Sequence, residues 1–266
     1  MTSDTTNTEK FSINIALSGW SGVGTTTLTL ILALLLKRKY LYIGLVFRYL
    51  NAKLRAAEKA LTDEFEQFIQ PQVGKTLDNY IDYKLLNDSN LIIESDLSTF
   101  RIGKHPKVYS IFIRASEAVR EKRTKKEGRA KFEAPLTERD AALREEYKKL
   151  WNIDIFDQDL IAKKYNLIID NTELSVEKEV RAIIERLKEH PRFKQDYDWS
   201  SVEKSIPKVI RWYLKGGKDR IKKELVKKKL LMPVTEILTE VVQIFPEDVQ
   251  SFPQNVQRLF LGQEYS

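Results

Sequence analysis

The chain has 266 residues, of which 42% are apolar and 31% charged, enough for a sizeable core and, at about 150 residues per domain, for about two domains. Cysteine is absent and histidine occurs only at His105 and His190, which excludes disulfides, thiolate nucleophiles and multi-histidine or cysteine-bearing metal centres. The 45 basic residues outnumber 38 acidic ones for a net charge of +7, a balance that suits polyanionic partners such as nucleotides, nucleic acid or a membrane surface.

Residues 1–10 are polar and are expected to form a flexible N-terminus. They lack the basic-then-apolar order of a secretory signal, so a cytoplasmic protein is expected. Short apolar runs then alternate with helix-length segments: INIAL (13–17), YLYIG (40–44), LIIE (91–94), VYSIFI (108–113) and LIID (167–170). This alternation predicts βαβ units and a parallel sheet flanked by helices, an α/β fold of three layers. The apolar run from Leu28 to Leu36 covers nine residues, against about 20 needed to span a bilayer, so it predicts a buried helix and no membrane partner. Ser116 before Glu117 and Ser175 before Glu177 read as helix starts, and Thr137–Asp140 has capping-box spacing behind Pro135. The charged stretch 121–131, with Gly128, predicts a mobile arm. Asp78 and Asp82, four apart on one helix face, read as structural, and both histidines, each before a proline, as loop residues.

Behind the first predicted strand stands Gly19-Trp20-Ser21-Gly22-Val23-Gly24, followed by Thr25-Thr26-Thr27 and a predicted helix. The segment fits the phosphate-loop pattern G-x-x-x-x-G-K-[ST] everywhere except the lysine, which is Thr25. Glycines let such a loop curl with its N–H groups inward, and the helix N-terminus adds partial positive charge. The expected ligand is the phosphate tail of ATP, with Thr26 supplying a hydroxyl to Mg²⁺. Glu94 closes an apolar strand, where a carboxylate can hold Mg²⁺ or merely meet a wet loop. Arg120 and Arg123 share a helix face and fit either a phosphate clamp or a solvated surface.

INIALSGWSGVGTTT, followed by Gly44-x-x-Phe47-Arg48, resembles the P-loop nucleoside monophosphate kinases, specifically the archaeal-type cytidylate kinases, as a divergent member. Val119-Arg120-x-x-Arg123 with Lys126-Glu127-Gly128 resembles the entry to that family's lid. Glu138-Arg139-Asp140 through Tyr147 and Asn152-Ile153-Asp154 resembles its exit, and YNLIIDNT (165–172) its last strand. The resemblance covers about residues 11–190. It implies a P-loop NTPase-type kinase moving the γ-phosphoryl of Mg²⁺-ATP to CMP, dCMP or a related nucleoside monophosphate. Gly19, Gly22, Val23, Gly24, Thr25, Thr26 and Thr27 would bind ATP, Thr26 and Glu94 the metal, and Gly44 and Arg48 the acceptor. Arg120, Arg123 and Arg139 would neutralise the transferring group.

Three positions depart from the family pattern. Glu94-Ser95-Asp96 stands where the family has Glu-Gly-Arg, and Leu143 and Glu146 stand where its lid helix has an acid and an arginine. Weak phosphorylation of CMP is therefore expected unless Arg101 or Arg144 substitutes. A nucleotide-binding regulator with little transfer activity is the alternative.

The strand–helix alternation stops after His190-Pro191, which predicts a kinase-like domain over 11–191 and a basic helical extension over 192–266. Cutting after residue 191 is then expected to leave nucleotide binding intact. Residues 208–229 carry ten basic side chains against Asp219 and Glu224, with Trp212 and Tyr213 among them. The segment suits either a nucleic-acid partner or a solvated helix packed on the domain. The oligomeric state is not expressed in the pattern.

Overall fold

The computed structural model describes residues 13–57, 70–94, 98–126 and 135–263. Residues 1–10, Ser95, Asp96, Glu127 and Gly128 of the expectations above lie outside them. Five parallel strands form one sheet in the order β2-β3-β1-β4-β5: β1 (Asn14–Gly19), β2 (Lys39–Tyr42), β3 (Leu91–Glu94), β4 (Val108–Arg114) and β5 (Leu167–Asp170). All five expected strands form, though YLYIG splits: Ile43 and Gly44 open helix α2 (Ile43–Ala57).

Side chains alternate across this sheet as the two-residue period demands. Ile15, Leu17, Tyr40 and Ile92 enter one core, while Ala16, Leu41, Leu91 and Ile93 enter the other. The first core is roofed by α1 (Thr25–Leu36). Every residue of α1 except Thr26 is buried, so this helix needs cover on its outer side as well as on the sheet. That cover comes from α8 (Val176–Glu189) and the long α9 (Trp199–Lys227). α8 starts at the expected cap, where the Ser175 hydroxyl accepts from the Lys178 amide at 3.3 Å, and buries Val180, Ile183, Ile184 and Leu187. α9 buries Trp199, Val202, Ile206, Val209 and Ile210 at helical spacing and, beyond a break at Gly217, Ile221 and Leu225.

The opposite core holds α2, α3 (Gln70–Asn87) and, from the C-terminal part, α10 (Val234–Ile244), α11 (Pro246–Gln250) and α12 (Gln254–Phe260). Between α9 and α10 the chain touches the sheet edge: the Tyr40 amide donates to Leu230 O at 2.6 Å, and the Met232 amide to Tyr40 O at 3.1 Å. The outer edge of β2 is thereby partly paired. The segment beyond residue 191 is helical, as expected, and it shares both cores of the sheet, so packing is continuous across residue 191.

A third cluster, Phe100, Phe112, Ile155, Ile161 and Tyr165, lies beneath α4 (Ser98–Ile102) and α7 (Gln158–Lys164). One local expectation fails. Helix α6 (Leu136–Trp151) begins at Pro135 without a side-chain cap, Thr137 lies inside it, and Asp140 turns to Arg120 instead of closing a capping box. Pro135 takes the N-cap place (φ −48°, ψ 148°), which leaves Thr137 inside the first turn, too late to cap.

Candidate nucleotide site

The loop between β1 and α1 sits at the C-terminal ends of the strands, where β1 separates β3 from β4 and the strand order reverses direction. Gly22 (φ 84°) and Gly24 (φ 97°) take left-handed backbone, which glycine adopts without the Cβ penalty. Gly24 is the N-cap of α1, and the first turn of α1 contains no acidic residue to compete with an anion. A cavity of about 580 Å³ opens on this loop, lined by Gly19 through Leu28 and by Glu94, Arg123, Lys126 and Arg139.

Glu94 anchors the floor. One carboxylate oxygen accepts from Thr26 Oγ1 at 2.7 Å and Thr25 Oγ1 at 2.9 Å, and the other accepts from the Tyr40 hydroxyl at 2.7 Å. Burial, with the nearby Glu94 carboxylate, raises the Tyr40 phenol well above its ordinary value, so Tyr40 remains a donor. A threonine hydroxyl and a carboxylate converging beside a phosphate loop are the sparse oxygen set that suits Mg²⁺, which keeps several waters and takes its remaining ligands from phosphates. The donor set fits Mg²⁺.

Three arginines hold the loop from helices α5 (Glu117–Lys126) and α6. Arg120, 5% exposed, donates to Ser21 O at 3.2 Å and to Asp140 at 2.7 Å, and lies outside the cavity lining. Arg123 donates to Val23 O at 3.2 Å, Asn171 Oδ1 at 2.8 Å and Asn171 O at 3.0 Å. Arg139 donates to Ser21 Oγ at 2.6 Å. Arg123 and Arg139 thus reach the cavity, whereas Arg120 fixes the loop from behind.

Asn171 was not singled out from sequence, yet it joins these parts. Fully buried just past β5, it also donates to Val23 O at 2.9 Å and to Glu179 Oε1 at 2.7 Å. Burial pushes the Glu179 carboxyl up to about 7, against the lowering pull of that hydrogen bond and of Arg123. A polar residue directly after the apolar strand LIID was the available signal for Asn171. Nothing comparable marked Glu179, which sits within an amphipathic helix.

The expected acceptor residues, Gly44 and Arg48, lie apart from the cavity lining, in the first turns of α2 just past β2. Tyr42 pairs in register with Glu94, and the Arg48 guanidinium donates to the Tyr42 hydroxyl and lies over its ring at 4.8 Å. A Cβ on Gly44 would stand 3.0 Å from the Tyr42 ring, so a side chain there would press on this pair. The two suggested substitutes are otherwise engaged. Arg101 pairs with Asp82 at 2.7 Å, donates to Asn79 at 2.7 Å and stacks on Trp151 at 3.8 Å. Arg144 pairs with Asp154. Asp82, read as structural, serves that purpose. Leu143 lines the cavity and Glu146 is exposed.

In the basic stretch 208–229, Trp212 is flanked by Lys208 at 4.9 Å and Arg220 at 5.5 Å. Tyr213 and Lys218 line the cavity on the phosphate loop. No helix among the described residues is long and apolar enough to cross a membrane.

The Pyrococcus abyssi cytidylate kinase is 32% identical over 169 residues, covering 61% of this chain and 87% of that protein. The chain belongs to the cytidylate kinase family. Two other cytidylate kinases show the same relation: that of Pyrococcus horikoshii is 31% identical over 63% of this chain and 84% of its own length. That of Thermococcus kodakarensis is 32% identical over 59% and 78%. No family model matches the chain. Family membership agrees with the phosphate loop and the parallel sheet, and makes the protein a kinase-family phosphotransferase fold.

Proposed function

We propose that the protein is an ATP-dependent nucleoside monophosphate kinase that transfers the γ-phosphoryl of Mg²⁺-ATP to CMP or dCMP. The observation that carries this reading is the convergence of Thr26, Glu94, Arg123 and Arg139 on one glycine-rich loop. The backbone N–H groups of the loop and of the first turn of α1 receive the β- and γ-phosphates. Thr26 and Glu94 hold Mg²⁺, which when bound offsets charge on the phosphates. Arg123 and Arg139 exchange their hydrogen bonds to loop oxygens for phosphate oxygens, so the charge of the γ-phosphoryl is met by donors held beside the loop. Arg48, on α2 beyond the neighbouring strand, orients the phosphate of the acceptor. An oxygen of that phosphate attacks the γ-phosphorus, the bond to the β–γ bridging oxygen breaks, and ADP leaves. Transfer of this kind needs position and charge neutralisation rather than a protein nucleophile.

A regulator that binds nucleotide with little transfer is the second reading, favoured by the engagement of Arg101 with Asp82 and of Arg144 with Asp154. Steady-state kinetics separate the two. Thr26→Ala is expected to raise the Mg²⁺ requirement and the KM for ATP, and Arg48→Ala the KM for CMP alone. Parental behaviour of both variants would refute the kinase assignment of these residues.

A further inference from the structure

The phosphate loop lacks the lysine of its pattern, and the residue in that place, Thr25, spends its hydroxyl on Glu94. Among the described residues, two lysines border the same cavity, Lys126 of α5 and one from a helix far along the chain. Lys218 of α9 lines it, with Tyr213 five residues earlier, before the break in that helix. Its position has a local cause. At Gly217 the helix breaks into φ 60°, ψ −158°, a region essentially restricted to glycine. A Cβ there would meet nothing within 4 Å, so the glycine answers to backbone conformation and not to crowding. The chain is held on both sides of the break, by Ile210 before it and Ile221 after it in the core shared with α1. The break therefore has a fixed place beside the loop and is not a frayed end.

We propose that Lys218 binds the phosphates of the nucleotide, so that a helix far along the chain supplies the cation missing from the loop. This inference rests on the proposal that the loop holds ATP. The same cavity is lined by the loop and the start of α1 and by Arg123, Lys126 and Arg139 beside the carboxylates Glu94 and Glu179, so Lys218 adds to a lining that on balance favours an anion. Lysine serves phosphate as a flexible point charge and needs no fixed fork, which suits delivery from a kinked helix. It also gives the Gly216-Gly217 pair and the basic character of this stretch a use within the kinase itself.

The test is isothermal titration of ATP, ADP and AMP with Mg²⁺ into the full chain, its Lys218→Gln and Lys218→Arg variants, and Gly24→Val as control. Loss of a charge-assisted contact to phosphate is expected to weaken ATP about tenfold or more, ADP less and AMP least, with Lys218→Arg retaining most of the affinity. Unchanged ATP affinity in Lys218→Gln, or an equal loss for all three nucleotides, would overturn the inference. Gly24→Val distinguishes the layers. If it binds ATP as the parent does, the loop reading itself fails. If it loses ATP while Lys218→Gln does not, only the role of Lys218 falls.

Discussion

The two ends of the proposed reaction are built differently. On the donor side each group is held by several others: Glu94 receives three hydroxyls, and Val23 O receives both Arg123 and Asn171. On the acceptor side Arg48 is engaged with Tyr42, and the two arginines expected as substitutes are paired elsewhere, Arg101 with Asp82 and Arg144 with Asp154. A phosphate arriving at the loop meets backbone amides already aimed, with Arg123 and Arg139 held beside it on loop oxygens, whereas one arriving beside Arg48 must draw that guanidinium from a phenol. Preorganisation favours tight donor binding, and its lack raises the acceptor's KM.

The largest effect tests whether the donor side stands without the C-terminal helices. Truncation after residue 191 would uncover α1 by removing Trp199, Val202, Ile206, Val209, Ile210, Ile221 and Leu225 from its core. At about 1.5–3 kcal/mol for each buried side chain, that loss rivals the whole stability of about 5–15 kcal/mol of an ordinary domain. The truncated chain is expected to be unfolded or insoluble by circular dichroism. A folded product that binds ATP would mean that the kinase-like domain ends near residue 191 after all.

Next in size is Gly24→Val. A β-branched residue at φ 97° forces the loop out of its conformation, and ATP affinity by titration is expected to fall by about 100-fold or more. Arg48→Ala sharpens the contrast from the other side: the KM for CMP rises by about tenfold, consistent with one lost charge-assisted contact, while that for ATP stays within about twofold. A matching rise for ATP would show that the two sides are not separate.

An effect on stability rather than on binding lies at Glu179. Its carboxyl is raised by burial from an ordinary value near 4.5 to about 7, so the folded state prefers it protonated. Its contribution is intact below pH 4.5 and is lost as pH rises towards 7, because the unfolded chain releases that proton first. Glu179→Gln keeps an acceptor for Asn171 and is free of this loss. Chemical denaturation is expected to show the variant gaining on the parent across that interval, by about 3 kcal/mol at most, and no further above it. A constant difference at all pH values would remove Glu179 from the donor-side network as a titrating group.

Much of this was legible in the residues. The strands followed from apolar runs of four to six residues, and the loop from three glycines between a strand and a helix. Arg123 and Arg139 were found through the order of matches along the chain, which a helix face alone left ambiguous. Less legible were contacts between distant segments. α1 is apolar all round, and that pattern announces a second covering layer without naming α9 as the cover. The capping-box spacing at Thr137 was genuine as a pattern, but Pro135 starts the helix and Arg120 claims Asp140. Lys218 was one basic residue among ten until the break at Gly217 placed it at the cavity.

Transfer of label from γ-³²P-ATP, measured across a panel of nucleoside monophosphates with the full chain, tests the central claim most directly. Labelled CDP or dCDP is expected above all other diphosphates, with formation requiring Mg²⁺ and falling by about tenfold in Arg48→Ala at subsaturating acceptor. Tight ATP binding with no monophosphate labelled, even at millimolar acceptor, would contradict it and leave a nucleotide-binding protein that does not transfer.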